Sequence, residues 1–459
     1  MIILFVVIAV IGINGSVFHK QNQTKQNEIH VAVDGNDESG KGTKDAPFAT
    51  VSVAAKKAPG SIVVVHEGDY GSVKLGPECS GSEKVPMIIR PAKDDKVAIH
   101  ANSGAGISLT NVSDITIEGL EIEGGTHGIY YQSTRKAERS LNNITIKNIT
   151  IKDCIVHGVR GTHGICAYAR NDKMPVRNFT IEGCEVYDCE CGSSESVVLN
   201  GNIDGFSIKN NAIHDNNNIG IDMIGFEGTA KHPGKSSGKN AYETDMVRNG
   251  VCEGNVVYNI STQGNKAYFE DGEYDRCAGG IYVDGGQNIE IFNNFIFKCD
   301  IGLEVATEHK SGKTEQFRVS GIHVHDNVIA DCTDWAGFCF GGYDKDRGLT
   351  EECAFDHNTL VDNAVQIGVQ RSRHNHVNAN LIIGGETAVE FNEDCSKNDL
   401  VNDISGNAAC EIEDEDSWIS GYGKMYKNRA MIADDFRSLI DDVGSGFVPD
   451  GKLMELYKH

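Results

Sequence analysis

The sequence predicts an all-β solenoid, a right-handed parallel β-helix, from three observations. A short two-strand phrase recurs along the chain, a Gly-led strand follows most copies, and Asn residues fall at one fixed point of the phrase. Internal repetition at this spacing is the signature of stacked coils. The composition agrees, with 52 Gly, only 8 Pro and 39% hydrophobic residues over 459 positions, too little apolar material for a thick globular core.

The first phrase is an alternating strand, an Asn or Gly, and a second apolar strand. It is carried by Ile115–Ile122, Ile144–Ile151, Phe179–Val186, Phe206–Ile213, Ile289–Ile296, Ile322–Ile329 and Cys353–Leu360. Alternation with period two sends one set of side chains inward and the other outward. The Gly-led strands begin at His127, His163, Gly220, Gly280, Gly302 and Gly337. A sharp change of direction between strands needs φ > 0, which Gly and Asn tolerate best. Aligning the phrases puts Asn211, Asn255, Asn294, Asn327, Asn358 and Asn380 in one column. Stacked amides can bond the coil above and below, and each buried amide left unpaired would cost about 1–3 kcal/mol, so the column sets register. About nine coils are expected.

Three regions follow. Residues 1–18 are apolar through Ile13, too short to span a bilayer, and read as a secretory signal peptide. Residues 28–392 carry the repeat. Residues 393–459 lose it, become charged and partly helical over Arg429–Ile440, and are expected to cover or flank the far end. Six Asn-x-Ser/Thr sequons, at Asn22, Asn111, Asn143, Asn148, Asn178 and Asn259, are compatible with a secreted, extracellular protein. Fourteen cysteines in such a chain invite disulfides; Cys154 with Cys184 and Cys299 with Cys332 fall at equivalent places in successive coils. The net charge of −24 argues against nucleic acid as a partner. A polysaccharide partner and a monomeric state are expected.

The repeat, with the opening His30–Asp37, Gly42–Thr43 and Ala46–Val51, resembles the pectin-lyase-like superfamily over roughly Glu28–Asn392. The resemblance implies that an amphipathic helix at Val51–Ala58 caps the first coil. It also implies that catalytic groups project outward from one sheet and its turns. The outward positions of the Gly-led strands, with the turns beyond, gather Asp222, Glu227, Tyr282, Asp284, Glu304, Glu308, His309, Lys310, Tyr343, Asp344, Asp346 and Arg347. Two insertions, Thr229–Asn249 and Thr262–Ala278, would wall this stripe as a groove. Lys231, His232 and His325 are further possible ligands or bases.

The first of three functions is β-elimination on a uronate-containing polysaccharide, as the resemblance suggests. There Asp222, Asp284 and Glu304 would hold Ca²⁺ against the substrate carboxylate, Lys310 or Arg347 would act as base, and Tyr343 would protonate the leaving group. Tyr282, Glu308, His309 and Asp344 would bind sugar. The second is glycoside hydrolysis by a carboxyl pair such as Asp284 and Glu304. The third is a non-catalytic glycan-binding or surface-structural solenoid, since fold does not imply function.

Overall fold

The computed structural model describes residues 26–155, 161–230, 242–310, 317–397 and 400–410. It is a parallel β-helix. The chain visits three parallel sheets in turn, of 14, 12 and 11 strands, and returns one coil further along. The 12-stranded sheet takes one strand from each coil, so the helix has more coils than the nine expected. The early coils were missed because their strands, such as Gly68–Gly71 and Val97–Ala101, lack the Asn corner. At the other end the ladder continues beyond Asn392. Leu400–Ile404 and Ala408–Cys410 still pair in parallel with Ser372–Asn378 and Leu381–Ile383. The expected signal peptide, and the tail from Glu411 with the helix expected there, lie outside the described residues.

Inward side chains stack into one continuous core of Ile, Val, Leu and Phe, including Ile117, Ile146, Ile181, Ile208, Ile291 and Phe355. At the N-terminal end a helix forms over Val51–Lys57. Thr50 caps it by accepting from the Val53 N–H, and it buries Val51, Ala54 and Ala55. Among the described residues no helix is long and apolar enough to cross a membrane.

The Asn column is a continuous ladder. Each side-chain amide donates to the next carbonyl oxygen from Asn211 through Asn255, Asn294, Asn327 and Asn358 to Asn380, at 2.9–3.0 Å. It extends one rung further, to Asn407 at 2.9 Å. The expectation joined two jobs that the fold divides between neighbours. The left-handed residue is the one before each ladder Asn: Asn210, Gly254, Asn293, Asp326, His357 and Ala379 have φ of 54°, 67°, 56°, 53°, 55° and 52°. The ladder residue itself points its amide inward and holds register.

A second set of Asn residues explains most of the sequons. Asn111, Asn143, Asn148, Asn178 and Asn259 all have φ between 51° and 57°. Asn178 donates to Asn143 (3.0 Å), and Asn143 to Asp114 (2.7 Å). Backbone geometry alone is reason enough for Asn at these places.

The twelve cysteines from Cys79 to Cys353 are free thiols. Thr150 aligns with Glu185, so Cys154 lies against Cys189 and Cys184 against Ile149; the expected Cys154–Cys184 pair is five residues out of register. Cys299 and Cys332 do align, and their thiols are neighbours; burial, then Cys332, raises the Cys299 pKa.

Candidate active site

The 11-stranded sheet contains the Gly-led strands, and its outward face carries the site. Parallel register makes one outward column of Tyr130, Cys166, Val198, Asp222, Tyr282, Glu304 and Cys339. The expected carboxylates do share this face, but in a staggered arrangement. Asp222 and Glu304 flank Tyr282 on its two neighbouring strands, whereas Asp284 lies two residues further on, opposite Ala306. The ladder between Ile221–Ile224 and Gly279–Asp284 holds only at Ile221 and Asp222; beyond them Gly225 N–H donates to the Asp284 carbonyl. The regular parallel ladder is interrupted where the carboxylates gather, and an isolated bridge joins Ile224 to Gly285.

These groups are buried although they face outward. Asp222 is 2% and Asp284 7% exposed; Tyr282 is buried and Glu304 half-buried. Burial holds the Asp222 carboxyl well above the usual carboxylate range, and the Glu195 carboxylate adds to this. Burial, then Glu308, pushes Asp284 up to about 8; the Thr307 hydroxyl and the Glu308 N–H (3.1 Å) donate to it and pull the other way. Glu304 is pushed up to about 8 by burial, Glu308 and Asp284. Asp222 Oδ1 has no hydrogen-bond partner among the described residues. A carboxyl group buried without a donor is favoured in its protonated form.

Sequence reasoning missed four members of the site. Glu195 is pushed up to about 8 by burial and by Glu227. Its coil replaces the Gly-led phrase with Ser196–Leu199, so the alignment passed over it. Asn200 donates to Glu227 at 2.7 Å. Asp245, 1% exposed, accepts from the Gly228 and Ala230 N–H groups and ties the base of the first insertion. Tyr268, from the second insertion, receives a 3.1 Å hydrogen bond from Asn218 and feels the charges of Glu195 and Glu308. No repeat pattern marks an insertion residue, so only its length signalled the second insertion.

Other expected residues are placed differently. The Arg347 guanidinium stacks 4.0 Å over the Tyr343 ring, and its N–H groups reach the Tyr343 hydroxyl and the Glu308 carbonyl. Arg347 is thus a tethered cation at the rim, and Tyr343 its exposed platform. Asp344 accepts from the N–H groups of Asp346 (2.7 Å) and Arg347 (2.9 Å), so its carboxylate closes a turn rather than facing the groove. Exposed Lys310 pairs through its backbone with Arg347. His309 is half-buried, and burial lowers its imidazole pKa. His325 belongs to a different face, on the 14-stranded sheet, with Glu290 (3.1 Å) and Asp326 (2.8 Å). Lys231 and His232 lie outside the described residues.

Two trios among the described residues bring their ligand atoms within 4.8 Å of one another, and neither is Asp222, Asp284 and Glu304. Those three are gathered around Tyr282 without a shared point for a cation.

Comparison with known proteins gives one close match. The chain is 33% identical over 452 residues to the uncharacterized protein YwoF of Bacillus subtilis (strain 168), covering 89% of this chain and 88% of YwoF. The chain belongs to the YwoF family. No family model matches it. Among solved structures, this YwoF-family chain is similar to the GH136 lacto-N-biosidase from Eubacterium ramulus, with a TM-score of 0.61 at 14% identity over 84% of this chain and 68% of that one. It is also similar to a glycoside hydrolase, with a TM-score of 0.54 at 11% identity over 84% and 96% of the two chains. At such identities the likeness is one of fold, and it bears out the β-helix.

Proposed function

We propose that the chain is a carbohydrate-active enzyme, a glycoside hydrolase that cleaves an uncharged glycan with carboxyl groups drawn from Asp222, Asp284 and Glu304. The observation that carries this reading is the burial of three protonatable carboxyl groups around one outward tyrosine, in the middle of one sheet face. Glycoside hydrolysis requires a carboxylic acid still protonated near neutral pH beside a second carboxylate. Asp222, without a donor to its Oδ1, suits the acid. Asp284 accepts from Thr307 and Glu308, contacts that partly oppose the upward shift from burial, and once ionised it suits the base or nucleophile. Residues one strand over and two positions along lie roughly 8 Å apart at Cα, from strand spacing and rise. That leaves room for a water between them, as in an inverting pair. The fold likeness to two glycan-cleaving enzymes agrees with this reading.

Charge weighs against the lyase alternative. Glu227 and Glu308 flank the carboxyl groups and would repel a uronate, while Arg347 is held over Tyr343. The test is a panel of neutral and uronate glycans, with and without EDTA, followed for new reducing ends and for ultraviolet absorbance. Reducing ends without absorbance, insensitive to EDTA, are expected. Absorbance from an unsaturated product would establish elimination, with Ca²⁺ implicated if EDTA abolished it. A panel left intact would leave a glycan-binding solenoid.

A further inference from the structure

We propose that His127, His163 and Cys166 form a binding site for a soft divalent cation, Zn²⁺ foremost, at the N-terminal end of the same sheet face. The site lies beyond the carboxyl groups and does not depend on the hydrolase reading. His127 and His163 are register partners on adjacent strands, with ring centroids 5.3 Å apart. Cys166 projects outward beside them, opposite Tyr130. One ligand atom from each of the three lies within 4.8 Å of the other two. A tetrahedral zinc with two nitrogens and one sulfur needs separations of ~3.3–3.8 Å, so shifts of about 1 Å complete it.

The imidazoles are already arranged as ligands. His163 Nδ1 sits 2.8 Å from the Glu195 backbone carbonyl. A carbonyl only accepts, so Nδ1 carries the proton and Nε2 presents its lone pair. The Tyr168 hydroxyl, 3.1 Å from Nε2, donates to that lone pair and is the group a cation would displace. His127 Nδ1 is held by Thr126 Oγ1 at 2.6 Å, leaving its Nε2 to coordinate. His163 is 1% and Cys166 0% exposed. The Cys166 thiol proton leaves to solvent as the cation enters, so the site gains a thiolate and loses one proton. Two nitrogens and one sulfur select zinc over calcium. Apolar packing with Val198 and Ile224 explains why Cys166 is buried, but not why two neutral imidazoles converge on its sulfur.

The experiment loads the full-length protein with Co²⁺ or Zn²⁺. Expected are one tightly held metal per chain and a thiolate-to-cobalt charge-transfer band that disappears in Cys166→Ser. Thr126→Val, which only releases His127, should weaken zinc binding roughly 10–100-fold with circular dichroism unchanged. The Glu290, His323 and His325 trio, with exposed Glu290 and two half-buried histidines, is the internal control, and His323→Ala should retain the band. Cobalt bound without the band, a band that survives Cys166→Ser, or metal lost in His323→Ala would each overturn the assignment.

Discussion

Two columns run along this solenoid, both built by stacking one residue per coil, and they are opposite in character. In the Asn column every amide donates to and accepts from its neighbours, and the same residue type recurs from Asn211 to Asn407. In the outward column of the 11-stranded sheet the residue changes at every coil, from Cys166 and Val198 to Asp222, Tyr282 and Glu304. There Asp222 Oδ1 lacks a partner and the buried carboxyl groups repel one another. The first column stabilises register. The second reduces stability, as expected of groups arranged for chemistry rather than for folding.

The largest effect should follow from breaking the second column. Asp222→Asn or Asp284→Asn should lower turnover of a cleaved glycan by about 10²–10⁴-fold with circular dichroism unchanged, read from new reducing ends. An undiminished rate in both would remove the carboxyl groups from the mechanism.

Next comes the first column. Asn294→Ala removes the acceptor for both the backbone N–H and the side-chain amide of Asn255. It should destabilise the protein by roughly 2–4 kcal/mol in denaturant unfolding, with catalysis per folded molecule nearly unchanged. A large loss of turnover without loss of stability would reverse the roles assigned to the two columns.

The outward column also sets a pH dependence. Asp284 and Glu304 have folded pKa values of about 8, above their unfolded values, so the folded state binds more protons across the interval between. Stability should therefore fall as pH rises from about 4 to about 8. Glu304→Gln should flatten that slope and stabilise the protein by roughly 1–3 kcal/mol at pH 8, measured by thermal melting across pH. A slope unchanged by the substitution would mean that Glu304 ionises freely in the folded protein.

The smallest effect concerns the corner residues that precede the ladder. Ala379 holds φ 52°, a conformation unfavourable for any residue with a Cβ. Ala379→Gly should raise stability by about 0.5 kcal/mol, the relief of strain being partly offset by the greater freedom of the unfolded glycine. A clear destabilisation would show that the Ala379 methyl packs better than its backbone suggests.

The Asn ladder was legible in the sequence because the same residue must solve the same problem in each coil. The carboxyl groups were legible as outward residues of one sheet, since period-two alternation assigns faces. Their mutual arrangement was not. That Tyr282 stands between Asp222 and Glu304, with Asp284 offset beside them, depends on how coils of unequal length align. The two insertions break that alignment just there. Glu195 escaped notice for the same reason, because its coil departs from the phrase that located the others.

By itself the sequence determined the solenoid, the inward and outward faces and the ladder that stacks them, because these are repeated local choices with a strong periodic signal. Only the tertiary structure decided which outward groups are sealed from water, which thiols meet, and where two imidazoles converge on a cysteine. Those outcomes depend on register and on loops from distant coils covering one face, and no local pattern in the chain encodes them.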